Sequence, residues 1–490
     1  MDIKIKTGTG LLSYIKVFIS GLVMLLSTQG AGASALHKKA VDLIVHGRYV
    51  VTMNVDNQVI ENGAVAIQGR NIVAVGTDSR IAADYTARRE ISGRDRILMP
   101  GLVNGHTHTS MVLFRGMADD LALMPWLRNY IFPMEGQFVD PEFITVGMKL
   151  ACMEMIRGGT TTFVDMYFYP DAEADIIESC GLRAIVGSPS IDFPSPGFKG
   201  WDDSFAAAVK FVRERKSKSG RVIPAFAPHA PYTVSEQHMA ELSKMAKELD
   251  APVTTHLSES LDELDQIRER YHTTPIKLME KAGLLDNKLI AAHVVHPTAE
   301  EIKLLVKYKV GVIHNPTSNL KVAAGVSPVP EMLKQGVRMG LGTDGAVSNN
   351  DLNMWRAIRL AALIHKGVQY DATVMPAKTV LTMATRGGAG AIGLGKITGD
   401  IVVGKRADLI QVDLSSAHMT PLYNVFSQLV YAAAGSDVTT TIVDGKILML
   451  DRKLLTLDGA KIRSQANAIA AKIAAALHKR QGSDFLIKQQ

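Results

Sequence analysis

The chain has 490 residues, 47% hydrophobic and 21% charged, with 54 Lys and Arg against 48 Asp and Glu and a formal net charge of +6. This is ordinary globular composition, long enough for a barrel of about 250 residues with chain to spare, and it excludes a disordered or collagen-like protein. The two charge signs are interspersed without a long basic run, so no nucleic-acid partner is expected.

The N-terminus carries Lys4, Lys6 and Lys16, then an apolar run over 17–26, then small residues ending Ala33-Ser34-Ala35. A basic start, a short apolar stretch and an A-x-A site are the parts of a secretory signal. The run falls short of the about 20 residues that a membrane span needs. The sequence therefore predicts a signal peptide over 1–35, cleaved after Ala35. The mature chain is expected in the periplasm, without stable membrane association.

Residues 36–97 read as the first part of a small β domain, with short strands at 41–45, 49–53, 64–68 and 72–75. Glu61-Asn62-Gly63 and Gly69-Arg70-Asn71 punctuate them as turns. From 98 to 395 apolar runs alternate with helical stretches. The runs are 98–103, 161–165, 184–187, 222–227, 253–256, 289–293, 310–314 and 337–342. Eight βα units predict an α/β fold, a (β/α)8 TIM-type barrel, and unbroken apolar runs suit parallel strands buried on both faces. Residues 396–455 return to short strands at 409–412, 438–443 and 446–450, with Asp444-Gly445 as a turn. The expectation is that they complete one small β-sandwich domain with the N-terminal segment. An Ala-rich helix over 460–477 opens the C-terminal helix and tail, 456–490. The two cysteines, Cys152 and Cys180, have no CxxC spacing and sit in apolar contexts, so they read as buried thiols.

Polar residues fall at the ends of these runs. The first leads into His106-Thr107-His108, the fifth ends in His256, the sixth in His293, and Asp344 follows the eighth. Barrel active sites assemble at the C-terminal ends of the strands. In an extended chain residues i and i+2 point the same way, so His106 and His108 can reach one metal. With His256 and Asp344 they make three imidazoles and one carboxylate, a set suited to Zn²⁺, with Fe²⁺ as the alternative. Glu259, three residues past His256, can swing over that metal and serve as proton acceptor and donor in turn.

Several segments carry a family resemblance: residues 100–108 (PGLVNGHTH), 115–121 (RGMADDL), 256–259 (HLSE), 314–319 (HNPTSN) and 342–345 (GTDG). With them the chain resembles the amidohydrolase superfamily over nearly all of residues 40–455. Within it, the chain is most similar to the deaminases of methylthioadenosine and S-adenosylhomocysteine, through residues 115–121, Trp126-Leu127 and Pro133-Met134-Glu135. The resemblance implies hydrolytic deamination of an adenosine-type nucleoside, with ammonia and a 6-oxo purine as products. Guanine, pterin or triazine chemistry is the alternative that the shared motifs leave open. It implies one metal on His106, His108, His256 and Asp344, with Glu259, His293 and Asp344 as catalytic groups. Glu135 would hold the ribose hydroxyls, and His229 and Trp126 would line the nucleoside pocket. Residues 222–228 offer no lysine for a second metal, so the site is expected to be mononuclear. The loop 187–201 has no arginine and only Lys199 for a substrate's amino-acid end. Relatives often form dimers or larger homo-oligomers, a point that the sequence leaves open.

Overall fold

The computed structural model describes residues 38–218 and 220–481, so the expected signal peptide lies outside the described residues. No helix among them is long and apolar enough to cross a membrane. Two sheets organise the chain. The first holds nine strands: β1 (Lys39–Val51), β2 (Val59–Gln68), β3 (Asn71–Thr77), β4 (Tyr85–Ile91) and β5 (Arg96–Pro100) from the N-terminal side, with four from the C-terminal side. The second is the barrel: β6 (Leu102–Thr107), β7 (Thr160–Met166), β8 (Arg183–Ser190), β9 (Val222–Pro228), β10 (Pro252–Leu257), β11 (Lys288–His293), β12 (Gly311–His314) and β13 (Arg338–Leu341). The four remaining strands of the first sheet are β14 (Leu409–Asp413), β15 (Val438–Val443), β16 (Lys446–Leu450) and β17 (Lys453–Leu454).

The small sheet is built around β1, whose Val- and Ile-rich sequence favours extended chain. Along one edge β1 pairs with β2, and along the other with β4 and then β5. The expected strands 41–45 and 49–53 are thus one strand, because His46-Gly47-Arg48 continues the ladder. Gly47 is there for close approach and makes no turn, since a Cβ on it would meet Leu98 Cβ at 2.9 Å. Strand β14 pairs antiparallel with β5, which joins the two terminal segments in one sheet. The sheet curls, so that Leu43, Val65, Ile72, Leu98, Leu409 and Ile442 share one core. The backbone of Ile72 accordingly bonds to Lys405 O.

The barrel strands are parallel neighbours in chain order from β6 to β13. The expected first barrel strand, 98–103, is divided between the two sheets. Residues up to Pro100 belong to β5 and those from Leu102 to β6. The chain crosses at Gly101, where a Cβ would lie 2.1 Å from the Thr161 side chain. Both sheets demand an apolar run, so hydrophobicity alone hides the boundary. The barrel closes near its C-terminal end: Asp344 N donates to His106 O at 3.0 Å, and the Asn104 side chain exchanges two hydrogen bonds with Thr343. Below, Val103, Val164, Ile185, Ala225, Ile290 and Ile313 fill the interior, leaving the opposite end for chemistry.

Two further contacts hold the molecule together. Arg183, at the start of β8, is buried with its guanidinium on Asp408 and Asp444 of the small domain, at 2.9 and 2.5 Å. The expected C-terminal helix runs over Gly459–Gln481 and packs on the helix Pro141–Gly158. Cys152 and Cys180 are buried free thiols.

Candidate active site

His106 lies on β6 and His108 just past it, His256 lies on β10, and Asp344 follows β13. Their ligand atoms all lie within 4.8 Å of one another. His106 Nε2 and His108 Nε2 each stand 3.2 Å from Asp344 Oδ1, and His108 Nε2 stands 3.1 Å from His256 Nε2. Bonds of about 2.0–2.1 Å to a tetrahedral ion put ligand atoms about 3.3 Å apart, so the spacing fits.

The outward-facing atoms of three of the four ligands are already engaged, while His106 Nδ1 is buried without a partner. His108 Nδ1 bonds Met166 O at 2.7 Å and His256 Nδ1 bonds His229 O at 2.8 Å, which leaves each Nε2 lone pair facing inward. Ser318 and Ser348 hydroxyls both donate to Asp344 Oδ2 at 2.6 Å. The inward-facing Asp344 Oδ1 and His106 Nε2 are buried without hydrogen-bond partners. Orphaned buried acceptors of this kind are costly unless something binds them.

The electrostatics agree. Burial pushes His106 down to about 4 and His256 well below its usual value. Burial also presses on His108, but the Asp344 carboxylate 3.2 Å away outweighs it and holds that imidazole up to about 9. Burial works against the Asp344 carboxylate too, yet the imidazoles of His106 and His108, each 3.2 Å from Oδ1, keep it well below the usual carboxylate range. One oxygen faces two imidazoles, and only one proton fits between them. A divalent cation in place of that proton satisfies all four groups, and the set fits a single such ion, with zinc favoured by the donors.

Glu259 and His293 border the same cavity. Glu259 is 4% exposed, and burial raises its pKa against the pull of His293. His293, at φ 73°, bonds Asn319 Oδ1 through Nδ1 at 2.8 Å, and its Nε2 has no hydrogen-bond partner. Trp126, Glu135 and His229 also line the cavity. Trp126 and Glu135 come from a helical segment, Leu123–Phe138, that opens into a wide π turn over Leu127–Ile131. Such a turn re-aims the side chains around it. Glu135 accepts the Tyr167 hydroxyl at 2.8 Å, and burial pushes its carboxyl up to about 7. Burial pushes His229 down to about 3, so it faces the cavity as a neutral ring. Every residue expected at the site is therefore found at this one place.

Outward from the metal ligands the rings of His256, His229, Phe132 and Phe193 follow one another at centroid separations of 4.8, 6.4 and 5.8 Å. Among the described residues no Lys or Arg lines the cavity. Tyr167, Ser318, Ser348 and Asn319 join the site beyond the residues expected from the sequence. Ser318 and Asn319 lie in the 314–319 motif, which was the available signal. Tyr167 has none, because its partner Glu135 comes from a separate element.

The chain matches the amidohydrolase family over residues 97–448. It is 41% identical over 432 residues to a 5-methylthioadenosine/S-adenosylhomocysteine deaminase of Syntrophobacter fumaroxidans, covering 88% of this chain and 98% of that protein. It is 42% identical over 438 residues to a 5'-deoxyadenosine deaminase of Methanosarcina barkeri, with shares of 88% and 98%. The solved structure of an adenosine deaminase from Xanthomonas campestris with bound zinc superposes with a TM-score of 0.88 at 40% identity, over 89% of this chain and all of that one. Family match, barrel and ligand set agree: this chain belongs to the amidohydrolase family.

Proposed function

We propose that the protein hydrolytically deaminates an adenosine-type nucleoside at C6, releasing ammonia and leaving the 6-oxo purine. The observation that carries this reading is the joining of two pieces in one cavity: the His106, His108, His256 and Asp344 set, and the buried Glu135–Tyr167 pair beside it. The first suits water attack on a ring carbon, and the second offers a carboxylate to ribose hydroxyls. The names of the relatives support the same substrate class.

A divalent metal on the four ligands supplies Lewis acidity that brings the pKa of water toward neutrality. Glu259 then works as proton carrier. It takes a proton from the attacking water and delivers it to the ring nitrogen as C6 becomes tetrahedral. The proton of the new C6 hydroxyl then passes to the amino group, which leaves as ammonia as the C–N bond breaks and the 6-oxo group forms. Burial raises the pKa of Glu259, which makes its protonated form easier to reach than that of an exposed carboxylate, as a proton carrier needs. His293, with Nδ1–H given to Asn319, keeps a lone pair on Nε2 to orient the water.

The outer wall favours a neutral 5' substituent. Leu127, Phe132, Phe168 and Ile191 line it, and among the described residues the lining itself holds no Lys or Arg for the carboxylate of an amino-acid tail. Methylthioadenosine and 5'-deoxyadenosine are thus preferred over S-adenosylhomocysteine. For the N-terminal segment the proposal is export and cleavage after Ala35.

Ammonia release by the zinc-loaded chain from residue 36 tests the function. The panel is methylthioadenosine, 5'-deoxyadenosine, adenosine, S-adenosylhomocysteine, guanine, a pterin and an aminotriazine. Turnover of the adenosine compounds is expected, with S-adenosylhomocysteine slowest among them. Turnover of the bare heterocycles alone overturns the nucleoside reading.

A further inference from the structure

The loop that carries Glu259 is held by a second carboxylate. Glu263 is fully buried, in the first turn of the helix Leu261–Tyr271. Its Oε1 accepts the backbone N–H of Ser258 at 3.0 Å, and its Oε2 accepts that of Glu259 at 2.7 Å. Ser258 sits at φ 49°, in the left-handed region that a residue with a Cβ enters only when its surroundings impose it. The Ser258 carbonyl in turn accepts the N–H groups of Val295 and His296 at 2.9 and 3.1 Å, just past His293.

Helix capping alone does not account for Glu263. Ser260 caps the helix, its hydroxyl accepting the Glu263 N–H at 3.2 Å, so the spacing of a capping box is present. In that motif the carboxylate closes on the N–H of the cap residue itself. Here it reaches past Ser260 to the two residues before it. Glu263 is pushed up to about 7 by burial, against the pull of both N–H bonds, which measures the cost of the placement.

We propose that Glu263 is a positioning residue for the deamination: its two oxygens, closed on the consecutive N–H groups of Ser258 and Glu259, fix the left-handed turn that points the Glu259 side chain into the cavity beside the metal ligands. This rests on the reading of Glu259 as proton carrier. Glu263 touches neither substrate nor metal, so its removal acts on the rate of the chemical step and leaves binding and metal content alone.

A double-mutant cycle tests this, using E259Q, E263A, E263Q and the doubles E259Q/E263A and E259Q/E263Q in the full-length zinc-loaded enzyme. A misplaced catalytic group of this kind costs about 100-fold in rate. E263A is expected to lower kcat about 100-fold, with KM and zinc stoichiometry unchanged. E263Q keeps the shape and one acceptor but sets an NH2 against one N–H, and is expected to fall between E263A and the unsubstituted enzyme. In the E259Q background neither substitution lowers the residual rate further, because the group they position is already gone. Losses that multiply across the cycle overturn the proposal, as does an E263A or E263Q enzyme with unreduced kcat, or one that has lost its zinc. If E263A does not fold, the near-isosteric E263Q carries the cycle alone. An E259Q enzyme with undiminished turnover refutes the proton-carrier reading instead, a result separate from a multiplicative cycle.

Discussion

The Glu135→Gln substitution examines the ribose contact at a single atom. Glu135 is 6% exposed and already accepts the Tyr167 hydroxyl on Oε1 at 2.8 Å, which leaves one carboxylate oxygen for a ribose hydroxyl. In the Gln variant the amide oxygen keeps Tyr167, and the NH2 faces a hydroxyl that had donated to a charge. A hydrogen bond to a charged group contributes about 1.5–3 kcal/mol, so kcat/KM should fall about 10- to 150-fold once Glu135 is ionised. Burial raises this carboxyl to about 7, so the charged form is gained as pH rises through that value. The penalty of the substitution therefore grows above neutrality. It fades below, where the unsubstituted enzyme is protonated as well. The assay is ammonia release from a ribonucleoside and from its 2',3'-dideoxy counterpart across that range. The dideoxy compound should be indifferent to the substitution at every pH. An equal loss on both compounds, or a loss that does not vary with pH, refutes the assignment of Glu135 to the ribose.

Asn319→Leu removes the acceptor that fixes the His293 ring. It should lower kcat about 10-fold or more, with Asn319→Asp recovering part of the loss and the melting temperature little changed. Arg183→Leu strands two buried carboxylates, Asp408 and Asp444, and should cost about 3–5 kcal/mol in denaturant unfolding. Glu173 in the helix Pro170–Cys180 is fully buried, and burial, together with Asp165, raises its pKa well above the usual carboxylate value. The native state thus holds this proton more tightly than the unfolded chain. The stability it contributes is present at acid pH and is lost as pH rises. Glu173→Gln keeps a donor that does not titrate, so its melting temperature should overtake that of the unsubstituted protein increasingly toward alkaline pH.

The metal site was legible because its pattern is local and its placement follows from the fold class. His106 and His108 are two residues apart, and each remaining ligand closes or follows an apolar run that reads as a strand. The eight runs stood out for the same reason, since strands buried on both faces leave continuous apolar stretches. Legibility failed where two demands coincide. Leu98-Met99-Pro100-Gly101-Leu102-Val103 is apolar throughout because β5 and β6 are each buried, so no polar residue marks the change of sheet. Strand β4 and the short helix Asp78–Asp84 before it were not foreseen, because the sequence Tyr85–Ile91 is charged along an exposed edge. Glu263 was hidden differently. The Ser260–Glu263 spacing reads as a cap, and only the three-dimensional course of the loop shows its oxygens on other residues.

The pairing of β5 with β14 sets Leu98 opposite Gln411. A chain made from its N-terminus therefore lays down β1 to β5, and then the whole barrel, before the partner of β5 exists. Throughout that interval Ile97, Leu98 and Met99 present an unpaired apolar edge, the kind of template on which chains pair with the wrong neighbour. Contacts between residues so far apart are also the slowest to form, because loop closure must come before they return any stabilisation. The β5–β14 pairing is therefore expected among the late steps by which this protein becomes native. A nascent chain halted before Leu409 carries every metal ligand and still exposes a surface prone to aggregation.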